Sequence, residues 1–331
     1  MSKSGIENLP VELLQPIFFQ SAYNVALLQA SDRIGARLSS DYVYNATCTY
    51  YLNGTLDDRA AQTAAQTYIF ASKWMTWAFF KSWVIKTYEH TRCLCGATQD
   101  EGCFDAQWPP DFENATKMVF SRSHLPRIAF VKARIPRKLL GGPWTSDKVQ
   151  FLQFLLWITS VTVDWRDPEV RQIAIKGRLQ AIRERNLEAV ELFNHNRRLG
   201  KFPTLSMVRC AVIETNCDRS IVYDTMLTAS MWGSTTSWDC TELDEWCIDR
   251  IQSGDPKGLW LKTKLEELRA PSRPGKVYQG DGIGYKRLPG GELDSEAGDY
   301  DGGADDRLVV KQHRWNEVSD PFQFLPREWY V

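Results

Sequence analysis

No uncharged apolar run in this chain reaches the roughly 20 residues that a membrane-crossing helix needs. The longest, VQFLQFLLWITSVTV at 149–163, stops short, and YIFASKWMTWAFFKSWVIKTY at 68–88 is interrupted by Lys73, Lys81 and Lys86. Both predict buried helices, and no membrane partner is expected. Surplus charge is missing too. The 40 Lys and Arg balance 41 Asp and Glu to a net charge of -1, whereas a general nucleic-acid binder is clearly basic. The opening MSKSGIENLP has no apolar h-region, which predicts no secretory signal and a cytoplasmic or nuclear location. The sequons at Asn45, Asn53 and Asn114 are then expected to stay unmodified.

Catalytic signatures are also lacking. Gly-x-Ser-x-Gly, His-Glu-x-x-His and Walker patterns do not occur, and the four histidines, His90, His124, His195 and His313, are scattered. GDGIGY at 280–285 does not stand between a strand and a helix, as a dinucleotide loop must. DYDGGADD at 299–306 has Val310 where a calcium loop needs Glu. The expectation is a protein that is not an enzyme.

What is present is aromatic. Thirteen Trp among 331 residues predict cores of large flat side chains, and the length suffices for two or more sub-domains. Trp74, Trp77 and Trp83 follow helical spacing and read as core. Eight cysteines in an intracellular chain are expected to be mostly free thiols. Within HTRCLCGATQDEGC, His90, Cys93, Cys95 and Cys103 could supply four ligands to a structural zinc. The spacing Cys-x-Cys is tighter than that of a zinc knuckle, so a turn with free thiols is the simpler reading and no cofactor is otherwise expected. Between Asn114 and Ser146 there is no acid, while Lys117, Arg122, Arg127, Lys132, Arg134, Arg137 and Lys138 occur. That basic window could meet the acidic run from Glu292 to Asp306, but solvated charge is the commoner state. Inside the window, MVF and RIAFVKARIP read as the arms of a β-hairpin. Thr145 or Ser146 then reads as the cap of a helix.

The first fifty residues carry three apolar runs: Leu9–Phe19, Asn24–Ala30, and a third holding Ile34, Leu38, Val43 and Tyr44. Pro10 suits a helix start, Glu12 favours the same end, and Ser21 and Ser31 stand where caps belong. Pro16 predicts a kink or an early stop. Three short helices cannot enclose a core alone. The string LPVELLQPIFFQSAYNVALLQASDRIGARLSSDYVY resembles an F-box, with Leu9, Pro10, Glu12, Leu13, Ile17, Leu27, Ser31, Ile34 and Leu38 at matching positions. Arg37-Leu38 stands where many F-boxes carry a Cys-x-x-Trp type ending. The resemblance implies a three-helix module that docks on a Skp-family adaptor of a cullin–RING ubiquitin ligase through Leu9, Pro10, Leu13, Ile17, Leu27 and Ile34. It also implies an unknown protein target held by the rest of the chain. The alternative is a non-catalytic scaffold whose F-box-like helices pack on its own body and bind no adaptor.

Further on, RLQAIRERNLEAVELF at 178–193 and VRCAVIETNCDRSIVYDTML at 208–227 form a repeat. Ala181 and Ala211 are 30 residues apart, as are Asn186 and Asn216, after which the second copy gains a residue or two, and LDEWCIDRIQSGDPKGLWLKTKL at 243–265 is a looser third copy. The spacing resembles that of ankyrin repeats. The segment 270–306 is rich in Gly, Pro and Asp and reads as a loop or disordered, and 307–331 is an aromatic tail. The expected fold is mainly α. An F-box-like module spans 1–52, and a helical region with the Cys cluster and the small β-hairpin spans 53–166. Ankyrin-like helical hairpins follow at 167–269, then the flexible segment and the tail. The layout resembles that of F-box-like proteins of filamentous fungi.

Overall fold

The computed structural model describes residues 5–89, 128–231 and 237–270. Among them are thirteen α-helices and no β-strand, so the chain is mainly helical. In chain order the helices are α1 (Val11–Gln20), α2 (Leu27–Ala30), α3 (Asp32–Arg37), α4 (Asp41–Leu52), α5 (Arg59–Ala71), α6 (Trp77–Tyr88) and α7 (Ser146–Ile158). They continue as α8 (Pro168–Arg183), α9 (Leu187–His195), α10 (Leu205–Thr215), α11 (Arg219–Met231), α12 (Thr241–Gln252) and α13 (Pro256–Arg269). The described residues up to Gly141, with Thr145–Ala174, form one compact unit. Gly142–Trp144 and the described residues from Ile175 onward form a second.

Hydroxyl and carboxylate caps set most helix starts in the first unit. The side chains of Ser31, Ser40, Asp58, Thr76 and Thr145 accept from backbone N–H groups two to three residues into α3, α4, α5, α6 and α7, each worth about 1 kcal/mol. Ser40 explains one departure from expectation. The third apolar run is two helices, because Ser39 and Ser40 end α3 and start α4. Pro16 neither stops nor ends α1, which runs through it to Gln20. Leu14 and Phe18, on either side of the proline, are fully buried and anchor both halves of the helix. The segment 68–88 is likewise not one helix. It breaks at Ser72, and Thr76 starts α6 anew, so Trp74 precedes the helix that carries Trp77 and Trp83.

Two apolar centres fill this unit. One gathers Leu14, Phe18, Ile34, Leu38 and Val43, with Phe19, Tyr23, Leu27 and Leu28 packed on it. The other is aromatic: Phe70, Trp77, Phe80, Phe151 and Phe154 meet with ring centroids 5.2–6.5 Å apart, favourable edge and offset geometry. Buried Gln62 and Gln66 tie the loop after α4 to α5 by donating to the carbonyls of Tyr51 and Gly54.

Of the expected β-hairpin, the MVF arm lies outside the described residues. The other arm is a 3-10 turn at Ile128–Phe130 followed by an extended stretch that pairs elsewhere. Arg134 and Thr162 form an isolated parallel bridge. Ile135 N–H donates to Thr162, Ser160 N–H to Val131 and Thr162 N–H to Ala133. Val131, Ala133, Ile135, Val161 and Val163 are all buried, so the apolar alternation on both segments drives them together.

The second unit holds three pairs of consecutive helices, α8 from Ile175 onward with α9, then α10–α11 and α12–α13, each pair joined by a tight left-handed turn. Arg185, Asn216 and Gly254 have φ of 51°, 53° and 78°. In each turn that residue donates to the carbonyl three before it and the next residue donates five back, to Ala181, Val212 and Arg250. This satisfies carbonyls left over at a helix end. Hydrogen bonding thus shows that the match of Asn186 with Asn216 is one residue out of register. Asn216 corresponds to Arg185, and the turn is then one residue longer: Cys217 makes the backbone bond that Asn186 makes, while Asp218 takes over the cap of the next helix that Asn186 also provides. Gly258 lets α13 lie close on α12, where a Cβ would meet Ile251 N at 2.8 Å and Cys247 O at 2.9 Å. Arg269 clamps the far end with a two-pronged bond to Asp244 at 2.8 and 3.0 Å.

Candidate functional site

The residues singled out near the N-terminus fall on two neighbouring stripes of α1, about 100° apart. Helical spacing puts Leu14 and Phe18 on one stripe and Pro10, Leu13 and Ile17 on another. The first stripe is fully buried, a contribution of about 1.5–3 kcal/mol per side chain. The second faces out: Leu13 is 54% exposed and Ile17 37%, and Pro10 is open as well. Leu9 is half-buried, and its carbonyl accepts from the Arg37 guanidinium, which ties the start of α1 to the end of α3. Leu27 is half-buried against the core. Ile34 is 2% exposed and belongs to that core, so it supports the outward face rather than joining it. The turn that follows α1 is anchored on α4. Tyr51 Oη donates to the Ala22 carbonyl at 3.0 Å, and Tyr23 stacks on Tyr50 at 4.5 Å.

His90, Cys93, Cys95 and Cys103 lie outside the described residues. Among the described residues no group of three or more His, Cys, Asp or Glu could hold a metal, and no helix is long and apolar enough to cross a membrane. Of the basic window, four residues are described, and two are built into the first unit. Lys138 Nζ donates to the carbonyls of Ser72 and Met75 beyond the end of α5, and burial pulls its pKa down to about 8. Arg137 pairs with Asp167 at 3.2 Å and Glu169 at 2.8 Å.

A cavity of about 340 Å³ opens between the α2–α3 segment and the α5–α6 junction, lined by Gln29, Ser39, Tyr44, Tyr68, Lys73 and Trp74 among others. Its polar groups mostly serve each other. Tyr68 bonds Gln29 and Ser72, Ser39 donates to Gly35, and Tyr44 lies flat on Trp74 at 4.3 Å. The cavity is therefore a seam between packed helices, with few groups left to orient a ligand.

Sequence reasoning missed a polar cluster in the second unit. Asp224, 1% exposed, takes His195 Nε2 on one oxygen at 2.5 Å and Asn194 Nδ2 on the other at 2.7 Å. Asn194 Oδ1 accepts from Arg178 at 2.6 Å. The one signal that could have found it is an acid inside an apolar run, SIVYDTMLTA.

No family model, curated protein or solved structure matches this chain.

Proposed function

We propose that the chain is a substrate-receptor subunit of a cullin–RING ubiquitin ligase, docking on a Skp-family adaptor through the outward stripe of α1. One observation carries the reading. Leu13 and Ile17 stand open to solvent on a helix whose inward stripe has already completed its own core. An apolar pair left out in this way, a turn apart on one helix, is the form in which amphipathic helices engage a partner's groove. Pro10 extends the stripe and Leu27 adds a half-buried flank. The helical pairs of the second unit would hold the target, and the subunit itself makes and breaks no bonds; it raises the local concentration of target near the ligase.

A second reading, a scaffold that binds no adaptor, draws support from Ile34, which is committed to the interior. Co-expression with a Skp-family adaptor followed by size-exclusion chromatography separates the two. The receptor reading expects co-elution that is abolished in Leu13→Asp/Ile17→Asp, while that variant keeps its helical circular dichroism. A folded wild type that elutes alone supports the scaffold.

A further inference from the structure

The buried cluster of the second unit sets a charge where water hardly reaches. Asp224 lies midway along α11, and every residue of that helix from Ser220 to Ala229 is buried. A carboxylate in such a place needs paired cations and hydrogen bonds. Its two oxygens are taken by His195 and Asn194, and Thr228 Oγ1, 3.5 Å from His195 Nε2, donates to the Asp224 carbonyl at 2.8 Å.

The charges facing His195 come from each surrounding helix. Asp224 is on α11; Glu191, buried, is one turn earlier on α9; Arg178 is on α8, bonded to Asn194 and to the Lys201 carbonyl at 2.9 Å. Arg197 and Arg198 follow His195 in the 3-10 turn Arg197–Leu199, where Arg197 lies over the Phe202 ring at 4.6 Å. With a proton on His195, the imidazolium pairs directly with Asp224, and Glu191 adds to the field that favours the charge. Without it, Asp224 keeps its bond from Asn194 and the field of Arg178 but loses the charge at His195. His195 is also the last residue of α9, where a positive charge complements the helix dipole.

We propose that the proton on His195 is a latch between α9 and α11, so that the second unit tightens as His195 takes up its proton and loosens as rising pH removes it. Burial draws the imidazole pKa down, but the charge and hydrogen bond of Asp224, with Glu191, outweigh it and raise the pKa above 6.5. Arg178, lowered by burial to about 10, stays charged across that window and is not the switch. A raised folded-state pKa gives stabilisation that is complete below the unfolded value near 6.5 and lost as pH climbs through the folded one.

The test uses the full chain. With His90, His124 and His313 replaced by Gln, one imidazole remains, and its ¹⁵N shifts report the His195 titration directly. Amide hydrogen exchange of α9 and α11, corrected for intrinsic rate, is then compared at pH 6.5 and 8.5 in wild type and His195→Gln. The latch requires a titration above 6.5 and protection in wild type that is partly lost at pH 8.5. His195→Gln shows protection that is equally low at both values. A titration at or below 6.5, or wild-type protection that does not change with pH, overturns the proposal. If His195→Gln does not fold, the single-imidazole titration and the wild-type exchange still decide.

Discussion

Leu13 and Leu14 are neighbours in sequence and opposites in the fold: Leu13 leaves 54% of its surface open and Leu14 none. Each helical residue turns its side chain by about 100°, which is enough to carry one leucine into the core and the other out of it. Two substitutions at adjacent positions should therefore behave very differently. Leu14→Ala should cost about 2–5 kcal/mol, through lost burial and the cavity it leaves. Leu13→Ala should stay within about 0.5 kcal/mol. Urea unfolding followed by circular dichroism measures both, and similar costs at the two sites would contradict the burial pattern of α1.

The three left-handed turns of the second unit offer an internal comparison. Arg185 and Gly254 hold the same hydrogen-bonding position, yet only the glycine adopts positive φ without a Cβ penalty. Arg185→Gly should raise stability by about 1 kcal/mol, and Gly254→Ala should lower it by a similar amount. Thermal melts of the two variants should shift in opposite directions. A destabilised Arg185→Gly would mean that the arginine makes contacts worth more than the strain.

Lys138 gives a pH signature of opposite sign to that of His195. Burial lowers its pKa to about 8, below the unfolded value near 10.4. Between those values the unfolded chain binds the extra proton, so the Lys138 contribution to stability rises with pH across that interval. The difference in denaturation midpoint between wild type and Lys138→Met should therefore grow in favour of wild type from pH 8 to 10. A difference that stays flat would place the ammonium in contact with water.

How much of this can be read from the residues depends on the range of the forces involved. Ser31 and Thr145 are legible as caps, because a cap acts within three residues of itself. The apolar character of 149–163 and the core role of Trp77 and Trp83 are legible for a similar reason: burial leaves a periodic trace. The break at Ser39–Ser40 is hidden, since the apolar spacing runs on through it. Pro16 reads as a helix stop when its local strain is weighed without the anchoring burial of Leu14 and Phe18. The repeat is visible, and so is a gain of a residue or two in its second copy, but not that the gain falls in the turn 216–218, which only the hydrogen bonds define. Of the outward face, Leu13 and Ile17 can be named from sequence. Ile34 cannot be told apart from them, because apolar residues look alike until the core has taken its share. The Arg178–Asn194–Asp224–His195 cluster joins residues far apart in sequence, and no local pattern brings them together.

The most direct test of the adaptor-docking account is calorimetric titration of a purified Skp-family adaptor into the full chain. Wild type, Leu13→Asp/Ile17→Asp and Ile213→Asp would be compared, the last being a control because Ile213 is an equally exposed apolar residue, 53% open, that belongs to α10 and not to the proposed stripe. The account predicts binding with a negative heat-capacity change that is equal in wild type and Ile213→Asp and abolished in the double variant. No binding by folded wild type, or binding that survives Leu13→Asp/Ile17→Asp, contradicts it.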